Sequence, residues 1–164
     1  MIASMDTHYA ENKSTTAVVL FENWSDTNSL EFFYELEGKP ADYIPGKFYL
    51  RELPCLLSAL SKIEAKVDVI VIDGYVQLGR QRPGLGMKLF ESLNERTPVI
   101  GVAKNPFSGT DSAIGILRGD SKRPLFVTAV GIDTFEAASC IESMYGKHRI
   151  PTLLKHTDRL ARRN

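Results

Sequence analysis

The chain has few cysteines, no excess of charge of either sign and no long apolar run. Its 164 residues include two cysteines, Cys55 and Cys140, too few for a disulfide framework or a four-thiolate metal site. Both lie in apolar helical patterns, where cysteine usually packs as a small hydrophobic residue, so a reduced, cytoplasmic setting is expected. The first residues lack a basic segment followed by an apolar run, and no stretch approaches the roughly 20 apolar residues of a membrane span. Neither a signal peptide nor a membrane partner is predicted.

Opposite charges balance over the whole chain but not along it. The 20 basic and 20 acidic residues give no net charge that would select a partner. Residues 1–42 nevertheless hold two basic against eight acidic residues, and residues 147–164 hold six basic against one acidic residue. Such an arrangement suits an anionic polymer held near a cation site. On charge alone, two solvated surfaces are the simpler interpretation.

Length and apolar content predict one globular domain. The 164 residues lie near the usual size of a single domain, so residues 1–164 are expected to form one unit and to act as a monomer. Hydrophobic residues make up 43% and charged residues 24% of the chain, and these shares exclude a disordered or collagen-like protein.

The hydrophobic pattern predicts an α/β fold with a mixed sheet. Three extended runs joined by polar loops, at residues 2–7, 16–24 and 30–36, predict an antiparallel meander. A helix is predicted over residues 51–63, with Pro54 in its first turn. The remaining predicted elements are buried strands at 67–72 and 98–103 around a helix at 85–94, a hairpin of 113–117 and 125–129, and helices at 134–145 (Asp133 as N-cap, Gly146 as C-cap) and 153–163. This order predicts the meander followed by a parallel βαβα section, with helices on the faces of the sheet.

Acidic residues fall at positions where such a fold gathers functional groups. Asp6 lies on the first predicted strand, Asp73 ends the first predicted parallel strand, and Glu52 opens a helix. Sites in open α/β sheets lie outside the carboxyl ends of the strands, and converging carboxylates favour a hard cation such as Mg²⁺. The alternative is that each acid is a turn or cap residue, because Asp-Gly after a strand is most often only a turn.

Specific motifs resemble those of the endonuclease V family. Tyr-Ile-Pro-Gly at 43–46, with Arg51-Glu52 a short distance on, is similar to the family's signature loop. The other motifs that match in order and approximate spacing are Ile2-Ala-Ser-Met-Asp6, Val69-Ile-Val-Ile-Asp73-Gly74, Val99-Ile-Gly-Val-Ala-Lys104 and Arg149-Ile-Pro151 followed by Asp158. Each motif is weak by itself, but five in register over nearly the whole chain are fairly specific.

The resemblance implies a fold, a reaction and a set of metal ligands. The implied fold is ribonuclease-H-like, in agreement with the predicted strand order. The implied reaction is two-metal hydrolysis of a phosphodiester near deaminated purines, chiefly inosine, in DNA or RNA with Mg²⁺ or Mn²⁺. Asp6 and Asp73 would be the main metal ligands, Glu52 an acidic partner and Asp158 the last member of the cluster. Lys104 would stabilise charge at the phosphate.

The resemblance also implies residues that contact the substrate. Tyr43 would fill the gap that a displaced base leaves, because an aromatic face can replace lost base stacking. Gly46 would let the backbone approach the flipped base, since it has no Cβ. The remaining residues expected to bind substrate are Ile44, Pro45, Arg80 and Arg82.

The loop after Asp73 departs from the family pattern and keeps other functions open. Residues 75–83 read Tyr-Val-Gln-Leu-Gly-Arg-Gln-Arg-Pro, where the family usually has Gln-Gly and a His-Pro-Arg stretch. A second hypothesis is a nucleic-acid-binding domain that retains the fold without base specificity or cleavage. A third is an α/β protein that binds a small phosphorylated ligand through residues 74–86. Metal-dependent strand scission, salt-sensitive binding without turnover and no nucleic-acid affinity distinguish the three.

Overall fold

A computed structural model describes residues 1–37, 49–79, 82–109 and 112–163. Within these ranges the chain forms seven strands and four helices. Their bounds are β1 (Ile2–Tyr9), β2 (Lys13–Phe21), β3 (Leu30–Glu37), α1 (Tyr49–Leu60), β4 (Val69–Asp73), α2 (Leu85–Ser92), β5 (Val99–Ala103), β6 (Ile114–Ile116), β7 (Leu125–Val130), α3 (Thr134–Ser143) and α4 (Thr152–Ala161). None of these helices is long and apolar enough to span a membrane.

The strands form one mixed sheet in the order β3-β2-β1-β4-β5-β7-β6. Strands β1, β2 and β3 are antiparallel neighbours, as the predicted meander requires. Strand β4 lies parallel to both β1 and β5, while β7 pairs antiparallel with β5 and β6. The predicted mixed sheet, with a meander followed by a parallel section, is therefore confirmed.

Helices cover both faces of the sheet, which explains the long apolar runs in its strands. Successive residues of a strand point to opposite faces, so Val18 and Val19 of β2 enter different cores. One core contains Leu56 of α1 and Leu89 of α2. The other contains Ile141 of α3 and buried residues of α4. Because both faces are buried, the central strands need apolar residues at nearly every position.

Three local predictions were wrong. Strand β2 begins at Lys13 rather than at residue 16, because the Ala10 amide donates to the Lys13 carbonyl at 2.9 Å and closes a tight turn. Helix α1 begins by Tyr49, so Pro54 lies beyond its first turn. Proline is accommodated there on an exposed face, where water can bond the carbonyl that loses its partner.

The third difference is at the end of α3. Its predicted N-cap is confirmed, because the Asp133 side chain accepts hydrogen bonds from the Phe135 and Glu136 amides. The helix ends at Ser143 with Met144 as its C-cap, and Gly146 lies beyond it in a turn, at a φ of 120°. The cysteines also differ from each other, since Cys55 is buried and Cys140 is partly exposed.

A close backbone approach joins β5 to the end of β4. A Cβ on Gly101 would lie 2.5 Å from the Gly74 carbonyl oxygen, 2.8 Å from Thr128 Oγ1 and 2.9 Å from the Val76 amide. The Val76 amide donates to Thr128 Oγ1 at 2.9 Å across the same contact. Glycine at this position therefore lets the chain that follows Asp73 fold back over β5.

We expect Gly101→Ala to lower the free energy of unfolding by about 1–3 kcal/mol, the usual cost of overpacking. Gly115→Ala is the matched control, because its Cβ would meet only Pro124 at an ordinary 3.5 Å, and it should change stability by less than about 1 kcal/mol. Urea unfolding of both variants measures the difference, and equal stabilities would contradict the close approach.

Candidate active site

The register of two parallel strands brings Asp6 and Asp73 together. Strands β1 and β4 pair Met5 with Ile72, so the next residue on each strand lies at the same position across the sheet. Asp6 Oδ1 also accepts a hydrogen bond of 2.9 Å from the Thr7 amide, which orients this carboxylate. The sequence prediction that these two acids converge agrees with this geometry.

Helix α4 carries Asp158 to the same place. The buried Thr157 hydroxyl donates to Ser4 Oγ at 2.8 Å, which ties the helix to β1. As a result, one carboxylate oxygen from each of Asp6, Asp73 and Asp158 lies within 4.8 Å of the other two. Arg162 donates to Asp158 Oδ1 from Nη2 at 3.0 Å and from Nε at 3.2 Å. Asp158 therefore forms a helix-surface ion pair and also belongs to the acidic cluster.

Lys104 lies beside this cluster, as predicted. It follows the last residue of β5, and its Nζ donates to Asp73 Oδ2 at 2.7 Å. Two other side chains hold its backbone. The Tyr75 hydroxyl donates to the Asn105 carbonyl at 2.6 Å, and Arg149 Nη2 donates to the Lys104 carbonyl and, at 2.7 Å, to the Pro124 carbonyl. The sequence motifs include Arg149 but did not predict its hydrogen bond to the Lys104 carbonyl. The contact made by Tyr75 was missed, because no sequence pattern indicates it.

Glu52 is buried and does not belong to the group of three close carboxylates. Its side chain on α1 is 4% exposed, and its Oε2 has no hydrogen-bond partner among the described residues. Burial, together with the negative charges of Asp6 and Asp73, raises its pKa to about 9. The neighbouring Arg51 guanidinium stacks 3.7 Å over the Tyr9 ring. Glu52 is therefore a fourth carboxyl group that interacts electrostatically with Asp6 and Asp73 without joining the group of close oxygens.

Burial and, after it, crowding of negative charge set the electrostatics of the site. Burial, together with the negative charges of Asp73 and Asp158, raises the pKa of Asp6 to about 7. Burial also acts to raise the pKa of Asp158, but its hydrogen bond and ion pair with Arg162 outweigh burial and lower that pKa. Oxygen ligands that repel one another at this distance suit a divalent cation such as Mg²⁺. The residues present therefore fit a metal ion.

A pocket of about 150 Å³ opens over the cluster. Asp6, Asp73, Lys104 and Asp158 form its polar wall, and strand residues such as Val71 and Val102 contribute apolar surface. Acidic groups that can hold a cation thus lie beside an ammonium group on the wall of one small cavity. This combination can bind a phosphate group and polarise its phosphorus–oxygen bonds.

The residues predicted to contact a base are mostly outside the described part of the chain. This holds for Tyr43, Ile44, Pro45, Gly46 and Arg80. Arg82 is described and exposed. Its carbonyl accepts a hydrogen bond of 2.7 Å from the Leu78 amide, and its side chain is not among the described residues that line the pocket. The structure thus brings Asp6, Asp73, Asp158 and Lys104 together. Glu52 lies outside the group of close oxygens, and Arg82 does not line the pocket.

Comparison with known proteins gives consistent matches. The family model described as Endonuclease V matches residues 1–126. An Endonuclease V from Streptomyces avermitilis is 33% identical over 142 residues, which cover 74% of this chain and 61% of that relative. The crystal structure of Endonuclease V from the same organism is 26% identical, with a TM-score of 0.76 and coverage of 98% of this chain and 79% of that one.

A further solved structure agrees in fold. It is Ciona intestinalis Endonuclease V in complex with a 24mer DNA that contains an inosine followed by a ribo-adenosine. It is 17% identical, with a TM-score of 0.78 and coverage of 98% of this chain and 83% of that one. These structures have a ribonuclease-H-like fold, so the predicted fold class is confirmed.

We expect the metal-free protein to lose stability as the pH rises from about 4 towards 9. The folded pKa of Asp6, about 7, and that of Glu52, about 9, lie above the ordinary values of 3.8 and 4.5. Such raised carboxyl groups stabilise the fold below the ordinary pKa, and this contribution is lost as the pH passes through the folded value. Asp6→Asn should reduce this loss of stability. At pH 8 the metal-free variant should therefore be more stable than the metal-free unaltered protein, by at most about 4 kcal/mol.

Urea unfolding in EDTA at pH 5 and pH 8 measures this effect. Asp120→Asn, at an exposed acid in the β6–β7 connection, is the control and should leave the pH dependence unchanged. An Asp6→Asn protein that is less stable than the unaltered protein at pH 8 would show that repulsion does not govern the site.

Proposed function

This chain belongs to the Endonuclease V family, and we propose that it hydrolyses a phosphodiester with bound Mg²⁺ or Mn²⁺. The homologues and their structures support its assignment as an endonuclease that acts on nucleic acid. One observation carries the proposal, namely three carboxylates from β1, β4 and α4 with oxygens within 4.8 Å of one another. Asp6, Asp73 and Asp158 would hold the metal. Glu52, buried and with no hydrogen-bond partner for Oε2 among the described residues, would be the acidic partner, direct or through water, in a two-metal arrangement.

Four residues in and around the pocket would each have a distinct part in this reaction. A bound metal ion would supply an activated water and would neutralise charge on the phosphate. Lys104 keeps its ammonium group on the pocket wall, 2.7 Å from Asp73 Oδ2, where it would bind a phosphate oxygen and stabilise the developing negative charge. Arg162 keeps Asp158 ionised and oriented through its paired hydrogen bonds. Tyr75 and Arg149 hold the backbone that carries Lys104.

The proposed substrate is a strand with a deaminated purine such as inosine, in DNA or RNA. The DNA in the Ciona intestinalis complex contains an inosine, which supports this choice. Tyr43, Ile44, Pro45 and Gly46 would handle the base, with Arg80 and Arg82 as further contacts. The chain length is compatible with this, because Gly46 precedes Glu52 by six residues and so lies at most about 20 Å from it.

The proposal also covers organisation and setting. We take the 164 residues as a single domain that acts as a monomer in the cytoplasm. The two free cysteines, one of them buried, are compatible with a reducing compartment.

We expect Asp73→Ala to reduce cleavage by about 100-fold or more, because it removes a ligand from the metal cluster. The assay uses labelled inosine-containing and undamaged oligonucleotides with Mg²⁺, Mn²⁺ or EDTA. Asp120→Ala is the control and should cut normally, since this exposed acid lies in the β6–β7 connection. Full activity of a folded Asp73→Ala protein would refute the mechanism. Binding without scission under every condition would favour the non-catalytic binding domain.

A measurement independent of activity tests the metal site. Mn²⁺ should raise the melting temperature of the unaltered protein in proportion to the logarithm of its concentration, because it binds the folded state. The rise should be absent in Asp73→Ala and retained in Asp120→Ala. Equal shifts in all three proteins would place the bound metal elsewhere.

A further inference from the structure

A second groove continues from the catalytic pocket along α4. It has a volume of about 550 Å³ and runs between α4 and the connection from β2 to β3. Lys155 and Ile150 line both this groove and the pocket over the acidic cluster. The two cavities therefore share part of their walls and are neighbours on the surface.

The wall that α4 contributes is positively charged. The buried residues of this helix include Leu153, Thr157 and Leu160. Its opposite side exposes Lys155, Arg159 and Arg162, at the spacing that places residues on one helical face. Arg162 pairs with Asp158. In contrast, no ion pair joins Lys155 or Arg159 to any other residue in the described ranges.

Among the described residues, the opposite wall forms no ion pair with these two cations. Its acidic residue, Glu31, has Oε1 2.6 Å from His156 Nε2 and is engaged there. Thr27, Asn28 and Ser29 of the same wall offer hydroxyl and amide groups. Cations that form no ion pair among the described residues, with hydroxyl and amide groups across the groove, are the chemistry that binds phosphate and sugar oxygens.

We propose that this groove, formed by Lys155 and Arg159 opposite residues 27–29, binds the sugar-phosphate backbone of the nucleic-acid strand to one side of the bond that is cut. The inference rests on the proposed function and extends it to a second contact surface. Lys155 and Arg159 are one helical turn apart, about 6 Å along the axis, and each contacts its own phosphate. Cationic and hydroxyl groups of the groove suit phosphate and sugar oxygens, so the contact positions the strand without reading its sequence.

The test compares two double variants that remove the same charges at opposite ends of the sheet. Lys155→Gln/Arg159→Gln alters the groove. Lys66→Gln/Arg96→Gln is the matched control, because Lys66 and Arg96 precede the first residues of β4 and β5, whereas Asp73 and Lys104 lie at the other ends of these strands. Both pairs are placed in the Asp73→Ala background, so that binding is measured without cleavage. Thermal melting confirms that each protein is folded.

We expect the groove variant to change the salt dependence of binding in a defined way. Fluorescence anisotropy with a labelled single-stranded oligonucleotide gives the slope of log K against log salt concentration. Loss of two phosphate contacts should reduce the magnitude of that slope by about 1.4, at about 0.7 per phosphate. The reduction should be equal for inosine-containing and undamaged strands and absent in the control variant. An unchanged slope, or an equal change in the control variant, would overturn the proposal that Lys155 and Arg159 bind backbone phosphates.

Shortening the oligonucleotide tests the position of the contact. Removing nucleotides from one end should abolish the difference between the parent and groove-variant proteins, and removing them from the other end should not. A difference that survives both truncations would overturn the placement on one side of the cut. Cleavage by the unaltered protein is assayed separately, so failure of the proposed function and failure of the groove give different results.

Discussion

Mutual repulsion of carboxylates is the constraint on which the site depends. The register of β1 and β4 places Asp6 beside Asp73, and the Thr157–Ser4 hydrogen bond brings Asp158 of α4 to them. Folding thus concentrates negative charge in a partly closed pocket, and the raised pKa of Asp6 reflects both burial and its acidic neighbours. A divalent cation turns this repulsion into attraction, so metal binding and the stability of the fold are coupled.

The cationic groups around the cluster balance this charge from fixed positions. Lys104 pairs with Asp73 and Arg162 pairs with Asp158, so neither acid depends on the metal alone for a partner. Lys104 is held in turn by hydrogen bonds to the carbonyls of its own segment, from Tyr75 and Arg149. An ammonium group fixed before substrate arrives can stabilise developing charge without reorganisation. In the proposed groove on α4, cations on the protein surface would likewise bind the rest of the nucleic-acid strand.

Much of the fold could be predicted because its strands either are buried on both faces or alternate between apolar and polar residues. The apolar run that ends at Asp73 identified β4, and the helical spacing around Leu56 identified α1. The errors were at the ends of elements. The Ala10–Lys13 turn and the start of α1 before Pro54 depend on backbone hydrogen bonds that hydrophobic periodicity does not register. The cap after α3 was misplaced for the same reason.

The sequence by itself determined the candidate residues: an acid on β1, an acid at the end of β4, a lysine just after β5, and motifs in the order of one family. It did so because residue type and spacing encode strand ends directly. Only the tertiary structure decided which of these residues meet. It placed Asp158 with Asp6 and Asp73 and kept Glu52 outside this group. It also let the Tyr75 hydroxyl donate to the backbone next to Lys104. Such contacts depend on strand register and helix docking between distant segments, which no local pattern contains.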